Sequence, residues 1–246
     1  MKLGLIADIH SNLPALNEVL QDLAAEQVEG YLVLGDLVGY GPYPNECIEV
    51  LQKLPNAVII VGNHDWAAIE LEDISLFNAE ARQAILWTRS VLKPEYKEYL
   101  GSLEYIVNKD RYMLVHGSPR DPLDEYLVNV DIFEKNIPAL KADICFIGHS
   151  HQPLYFSKQK DGGTPDMRLI KEQEILNLTP ETIHVINPGS IGQPRDRDAR
   201  ACYGLFDTET LAFTLKRKAY DVAAVQAKMV EQQLPKALID RLAEGV

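Results

Sequence analysis

Cysteine, positive charge and long apolar runs are all scarce in this sequence of 246 residues. The three cysteines, Cys47, Cys145 and Cys202, are far apart and form no Cys-x-x-Cys pair, which argues against a disulfide framework and against a thiolate zinc site. Lysine and arginine number 24 against 36 aspartates and glutamates, which gives a formal net charge of -12. A broad nucleic-acid surface is therefore not expected, because such a surface needs many basic side chains to neutralise phosphates.

No run of about 18 apolar residues is present, so we expect no membrane association through a spanning helix. The opening residues MKLGLIADIH contain an apolar stretch that Asp8 and His10 interrupt, and this stretch is too short for the hydrophobic region of a signal peptide. We expect a soluble, cytoplasmic protein. Its acidic surface would accept a small anionic substrate only if bound cations reversed the charge locally.

The chain is long enough to bury a large core, and 46% of its residues are hydrophobic. We interpret residues 1–246 as a single domain, since no internal repeat or low-complexity tract divides them. The sequence leaves the oligomeric state open, and a homo-oligomer formed through an exposed sheet or helix face is compatible with it.

The N-terminal half alternates short apolar runs with helical periodicity, as strands and helices do when helices cover a sheet. This pattern predicts strands over 3–7, 31–34 and 57–61 and helices over 14–25, 44–54 and 78–92. Strands then predominate, over 103–107, 112–115, 144–147, 154–157, 183–186, 203–207 and 212–216, before helices over 222–233 and 237–242. Residues 158–181, which begin KQKDGGTPD, are predicted to form an exposed excursion.

Polar side chains that can bind metal follow the predicted strands. The set comprises Asp8, His10, Asp36, Asn63, His64, Asp65, His116, His149 and His151. In open α/β sheets the strand ends gather such side chains into one crevice. Carboxylate, imidazole and carboxamide groups suit a divalent cation such as Mn, Fe, Zn or Ni. Metal-assisted hydrolysis by two ions is therefore indicated, with Asp36 as the bridging carboxylate.

Each of these motifs alone has a more ordinary explanation. An Asp-x-His or Gly-Asp sequence after a strand is more often a hydrogen-bonded turn than a pair of metal ligands. The joint occurrence of five such loops, all at strand ends, favours one shared site.

The ordered motifs also carry a family resemblance. The set Asp8-x-His10, Gly35-Asp36, Gly62-Asn63-His64-Asp65, His116-Gly117 and Gly148-His149-Ser150-His151 resembles the signature of the calcineurin-like metallophosphoesterases. The later segment Asn187-Pro188-Gly189-Ser190 is similar to one in the small bacterial phosphodiesterase branch. The resemblance implies an α/β (α+β) fold, built as a four-layer sandwich of two mixed β-sheets flanked by helices.

The same resemblance implies a site with two divalent metal ions. One ion would be held by Asp8, His10, Asp36 and His151, and the second by Asp36, Asn63, His116 and His149. Asn63 would also lie next to the substrate. His64 would protonate the leaving oxygen or stabilise the phosphoryl group, and Asp65 would orient His64. The implied activity is hydrolysis of a small phosphodiester by metal-bound water or hydroxide.

Two further features have open interpretations. Arg195, in the segment NPGSIGQPR, is a candidate to bind the substrate phosphate, but Arg197 and Arg200 are equally available, and a tight turn explains the segment as well. His184 lies inside an apolar run and outside every motif, so we interpret it as a strand residue.

Other functions compete with a phosphodiesterase. The chain has Leu37-Val38-Gly39-Tyr40 where protein phosphatases carry Asp-Arg-Gly after the bridging aspartate, which counts against a protein phosphatase. A phosphomonoesterase or a dinucleoside polyphosphate hydrolase with the same metals is an alternative, although the missing arginine weakens the latter. A non-catalytic protein-binding scaffold of the same fold is another, but a scaffold has no need to keep both the full ligand set and His64.

Overall fold

The computed structural model describes all residues 1–246, which form twelve strands and eight α-helices. The strands are β1 (Lys2–Ile6), β2 (Gly30–Leu34), β3 (Ala57–Ile60), β4 (Ile106–Asn108), β5 (Tyr112–Val115), β6 (Ile144–Phe146), β7 (Pro153–Gln159), β8 (Asp166–Leu169), β9 (Ile175–Asn177), β10 (Thr182–Pro188), β11 (Ala201–Asp207) and β12 (Ala212–Lys218). The helices are α1 (Leu13–Ala25), α2 (Pro44–Leu51), α3 (Asn63–Ala68), α4 (Ala79–Val91), α5 (Pro94–Ser102), α6 (Val130–Asn136), α7 (Val222–Glu231) and α8 (Lys236–Glu244).

The strands form two mixed sheets of six strands each. The first has the order β3-β2-β1-β11-β12-β9, with β1, β2 and β3 parallel and the other pairs antiparallel. The second has the order β4-β5-β6-β10-β7-β8, with β5, β6 and β10 parallel. The loops that leave the parallel strands carry the polar motifs, so this topology delivers residues from both sheets to one site.

Apolar side chains fill the space between the two sheets and the space outside each. Leu5 and Phe206 of the first sheet meet Phe146 and Ile186 of the second in one buried cluster. The other face of the first sheet packs against α1, α2 and α5, and the other face of the second packs against α6 through Phe133. The molecule is thus layered as helices, sheet, sheet and helix, which confirms the predicted sandwich.

Local sequence explains where several helices begin. Asn12 accepts a hydrogen bond from the Ala15 amide (3.2 Å) at the start of α1, and Asn78 accepts one from Ala81 (2.8 Å) at the start of α4. Asp221 caps α7 in the same way. Such side chains satisfy amides that have no partner inside the helix.

The structure corrects the sequence prediction in three places. The predicted excursion over 158–181 contains β8 and β9, and β9 pairs with β12 at the edge of the first sheet. The predicted strand over 103–107 begins only at Ile106, because α5 extends to Ser102. The short helices α3, α5 and α6 were not predicted at all.

Candidate metal centre

The seven predicted metal ligands lie together in the structure. Two groups of side chains each offer ligand atoms that all lie within 4.8 Å of one another, and every member is buried; the groups are Asp8, His10, Asp36 and His151, and Asp36, His116 and His149. Asp36 belongs to both groups. The carboxamide oxygen of Asn63 is also buried and has no hydrogen-bond partner.

Each carboxylate of the site has one oxygen held by the backbone and one left free. Oδ1 of Asp8 accepts a hydrogen bond from the His149 amide, and Oδ1 of Asp36 accepts one from the His64 amide, both at 2.9 Å. Oδ2 of each carboxylate is buried without a partner. Buried polar atoms are rarely left unpaired, so these free oxygens fit a bound cation.

The imidazoles are oriented by main-chain carbonyls. Nδ1 of His10 lies 3.1 Å from the Val38 oxygen, and Nδ1 of His116 lies 2.7 Å from the Leu34 oxygen. These contacts place the proton on Nδ1 and turn Nε2 toward the site. His149 has the opposite arrangement, because its Nε2 lies 3.1 Å from the Asp124 oxygen.

Two of these nitrogens face each other in a way that requires positive charge. Nδ1 of His151 donates to the Gln193 oxygen (2.7 Å), so Nε2 of His151 and Nε2 of His10 are both open, and they lie 3.0 Å apart. Burial lowers the pKa of both imidazoles well below the ordinary value, and the carbonyl contacts place the proton of each neutral ring on Nδ1. Two lone pairs at this distance repel unless a cation lies beside them, and a divalent cation fits that need.

The charges of the remaining groups also favour a cation. Burial raises the pKa of Asp8 to about 7. Burial alone would also raise the pKa of Asp36, but His116, His64 and His10 hold it well below its usual range. Burial would lower the pKa of His116, yet Asp36 and Asp8 raise it to about 10. The same negative charges favour a cation at this place, where Nε2 of His116 lies 3.3 Å from Oδ2 of Asp36.

The backbone of the site is strained. Five of the seven predicted ligands have positive φ angles, which are Asp8 at 51°, His10 at 47°, Asp36 at 52°, His149 at 65° and His151 at 58°. This left-handed conformation is uncommon outside glycine and costs about 1–3 kcal/mol per residue. Strain concentrated in this way is typical of functional sites, where the surrounding fold holds residues in positions they would not otherwise adopt.

His64 lies beside both groups and belongs to neither. Its ring is 4.9 Å from that of His10 and 4.4 Å from that of Tyr40. Nδ1 of His64 is buried without a partner, and burial lowers the pKa of this imidazole to about 4. A Cβ at Gly39, which has a φ of 90°, would lie 2.6 Å from that nitrogen, so only glycine allows the ring to sit there.

Asp65, which the family resemblance implies as the residue that orients His64, makes no hydrogen bond to the His64 ring. The Asp65 carboxylate instead accepts hydrogen bonds from the amides of Val38 (3.0 Å) and Gly62 (2.9 Å). Its two oxygens thus accept hydrogen bonds from amides of two different loops. Asp65 therefore ties the loop after β2 to the loop after β3, and it positions His64 through the backbone.

The segment 187–195 is a support for the site as well as a turn. Ser190 Oγ donates a hydrogen bond to the main-chain carbonyl oxygen of Asp8 (2.8 Å), and the Gly192 amide donates to the same oxygen (2.9 Å). A Cβ at Gly192 would lie 2.0 Å from the Ile9 oxygen, so a larger residue cannot approach this loop as closely. The Gln193 carbonyl orients His151, as described above.

Of the three arginines considered for substrate binding, Arg195 alone faces the site. Its guanidinium lies over the Tyr40 ring, and its charge contributes to lowering the pKa values of His10 and His151. Arg200 instead forms ion pairs with Asp198 and Glu172. Arg197 contributes its amide to a bond with the Gly245 oxygen (2.8 Å).

Beside the ligands lies an open cavity of about 450 Å³. Its wall includes His64, His149 and the apolar side chains of Leu76, Phe77 and Tyr126. The Tyr126 ring stacks on His149 at a centroid distance of 3.9 Å. These three residues could not be predicted from the sequence, because they lie in segments without a motif and nothing local distinguishes them from ordinary loop residues.

Comparison with known proteins identifies the family. Residues 1–211 match the calcineurin-like phosphoesterase superfamily domain, and the chain belongs to that superfamily. Its fold and its Asp/His clusters are those of a metallophosphoesterase, which confirms the resemblance seen in the sequence.

Three relatives illustrate the range of similarity. The metallophosphoesterase of Sphaerobacter thermophilus has a crystal structure that superposes with a TM-score of 0.88 at 41% identity, over 100% of this chain and 99% of the other. The uncharacterized protein MJ0912 of Methanocaldococcus jannaschii is 36% identical over 99% of this chain and 98% of its own. Phosphodiesterase YfcE of Escherichia coli is 27% identical over 86% of this chain and 90% of its own.

The helices of this protein are all short. None combines the length and the apolar character that crossing a membrane requires.

Proposed function

We propose that this protein is a metal-dependent phosphodiesterase that hydrolyses a small phosphodiester with two divalent cations. The observation that carries the proposal is the pair of ligand groups that share Asp36, because one carboxylate common to two sites is the arrangement that two-metal hydrolysis requires. The phosphodiesterase among the relatives supports the same reaction class.

The open donor atoms suggest how the ligands divide. Asp8, His10, Asp36 and His151 would hold one cation, and Asp36, Asn63, His116 and His149 the other, with His149 using Nδ1. When bound, such cations polarise the phosphoryl oxygens as Lewis acids and lower the pKa of a water molecule. Mn, Fe, Zn and Ni all suit this donor set.

His64 is our candidate for the group that acts on the substrate directly. It lies on the cavity wall outside both ligand groups, and its Nδ1 has no partner within the protein. A positioned imidazole can protonate the leaving oxygen or stabilise the phosphoryl charge. Arg195 would bind a phosphate oxygen, since a guanidinium offers a fork of donors that matches phosphate.

The cavity favours a substrate with an organic group on the phosphate. Leu76, Phe77 and Tyr126 offer it an apolar wall, and the volume of about 450 Å³ is within the range of small-molecule sites. A diester carries two organic groups on its phosphate, and these groups can contact the apolar wall, whereas inorganic phosphate has none.

The test is hydrolysis of bis(p-nitrophenyl) phosphate beside p-nitrophenyl phosphate, with chelator-stripped protein before and after addition of Mn²⁺. We expect turnover that depends on Mn²⁺ and favours the diester. A preference for the monoester would support the phosphomonoesterase alternative. No turnover of either ester with any divalent metal would overturn the proposal in favour of a scaffold.

A further inference from the structure

A second guanidinium lies next to Arg195 and comes from the C-terminal helix α8. Arg241 Nη1 donates to Oε1 of Gln193 (3.3 Å), and Arg195 Nη2 donates to the same oxygen (2.9 Å). Arg195 also approaches the Tyr40 hydroxyl (3.4 Å), and Arg241 Nε bonds the main-chain oxygen of Val246. Two positive side chains therefore converge on one neutral amide.

No carboxylate side chain accepts a hydrogen bond from either guanidinium. Burial lowers the pKa of Arg241, and the charge of Arg195 lowers it further. Glu80, Asp240 and Glu244 line the cavity beside Arg241, but the two guanidiniums meet on the Gln193 amide and not on these carboxylates.

Buried donors in the same place also have no acceptor. Gln193 is only 1% exposed, and its Nε2 has no hydrogen-bond partner. Nε of Arg195 is likewise buried and unpaired. Unpaired buried donors are costly, and these two, one of them within a guanidinium, fit a bound anion.

The position of Arg241 separates it from the metal ligands. Arg195 acts electrostatically on Asp8, His10 and His151, whereas the groups that act on Arg241 are Arg195, Tyr40 and Tyr126. In the structure Arg241 bonds the side chain of Gln193, and the Gln193 carbonyl in turn contacts the proposed ligand His151. Arg241 also lies beyond residue 211, where the match to the superfamily domain ends.

We propose that Arg241, together with Arg195 and Gln193, forms a second anion subsite that binds a phosphate group of the substrate separate from the scissile ester. The inference rests on the proposed phosphodiesterase function and narrows its substrate class. The substrate is then a phosphodiester that carries a further phosphate, as a phosphorylated nucleotide ester does. Phosphate matches the planar fork of a guanidinium, and it is the anion that the proposed substrate class supplies.

The test compares two chromogenic diesters that differ by one phosphate. These are thymidine 5′-(p-nitrophenyl phosphate) with and without a 3′-phosphate, hydrolysed by the Mn²⁺-loaded enzyme at fixed ionic strength. We expect kcat/KM to be about tenfold or more higher for the substrate with the extra phosphate, mainly through KM. Arg241→Gln lowers kcat/KM more for the substrate with the extra phosphate than for the plain diester and so removes this preference, while Arg241→Lys keeps part of it.

Lys236→Gln is the matched control, because it removes one positive charge from the exposed side of the same helix. It should leave the preference intact, which separates a local subsite from a general loss of positive charge. Equal kcat/KM for the two substrates in the wild type, or an unchanged preference in Arg241→Gln, overturns the proposal.

A failure of the proposed function has a different signature, which is no turnover of either diester. The subsite is then judged by calorimetric binding of thymidine 3′,5′-bisphosphate and thymidine 5′-monophosphate. Tighter binding of the bisphosphate by the wild type than by Arg241→Gln supports the subsite. Equal affinities of the two proteins for the bisphosphate overturn it.

Discussion

Buried histidines occur in two regions of this molecule, and the two regions treat them differently. His184, on β10, is 2% exposed, and both of its nitrogens are paired, with the Tyr155 hydroxyl (2.9 Å) and the Thr179 oxygen (3.0 Å). His116 is fully buried as well, but only its Nδ1 has a partner and its Nε2 has none. Burial of a histidine is therefore no guide to function. An imidazole nitrogen that has no hydrogen-bond partner and lies among unpaired carboxylate oxygens is such a guide.

The largest effect on the region of the proposed metals is expected from Asp36→Asn. The change preserves shape and removes the charge common to both ligand groups, so we expect loss of bound metal and a fall in kcat/KM of at least about 10³-fold. Metal content by mass spectrometry and hydrolysis of the aryl diester measure the two effects. Asp22→Asn, the same chemical change at a surface ion pair with Lys218, should alter neither. Full metal content in Asp36→Asn would show that Asp36 is not the bridge.

The next effect in size is that of His64→Ala. We expect turnover to fall by about 10²–10⁴-fold, as it does when a group that protonates the leaving oxygen or stabilises the phosphoryl charge is removed, while both metal ions stay bound. Metal content and kcat should therefore separate in this variant, in contrast to Asp36→Asn. If His64→Ala released the ions, His64 would belong with the ligands and its assignment to the substrate would be wrong.

Metal binding should also be visible as stability. A cation present at about 100 times its dissociation constant adds about 2.7 kcal/mol to the free energy of unfolding, which corresponds to a rise in Tm of roughly 5–10 °C for a chain of this size. Scanning calorimetry of stripped protein with and without Mn²⁺ measures the rise. Asp36→Asn is the control, and the same rise in that variant would place the cation elsewhere.

The smallest expected effect concerns the region of His184. Tyr155→Phe removes the hydroxyl that pairs with His184 and leaves a buried nitrogen without a partner, which costs about 1–2 kcal/mol. Urea unfolding measures this loss. Metal content and kcat should match the wild type, and a loss of metal here would mean that the two regions are coupled.

Much of this site could be predicted from sequence because its residues lie next to strands that are themselves easy to recognise. Asp8, Asp36 and His149 each follow a short apolar run, and parallel topology brings such strand ends together. The choice of ring nitrogen could not be predicted. His149 uses Nε2 to contact the Asp124 oxygen, and that oxygen comes from a loop 25 residues away whose path no local pattern fixes.

The errors in the fold prediction have a similar cause. Strands β8 and β9 have four and three residues, and Leu169 and Ile175 at their ends are more than half exposed, so the hydrophobic alternation is weak. Helix α3 begins within the metal motif itself, where polar residues mask the helical period. A role for Arg241 could not be predicted, because a lone arginine on an amphipathic helix is ordinary and only the fold brings it beside Arg195.

The loops at the proposed centre come from both sheets, with Asp8 and Asp36 on the first and His116 and His149 on the second. Ions bound there are cross-links between the halves of the sandwich, at one end only. Amide protons near that end should then exchange with solvent at a rate set by metal occupancy, while those at the far end of the same strands should not respond. Metal binding and the association of the two sheets at that end are therefore thermodynamically coupled.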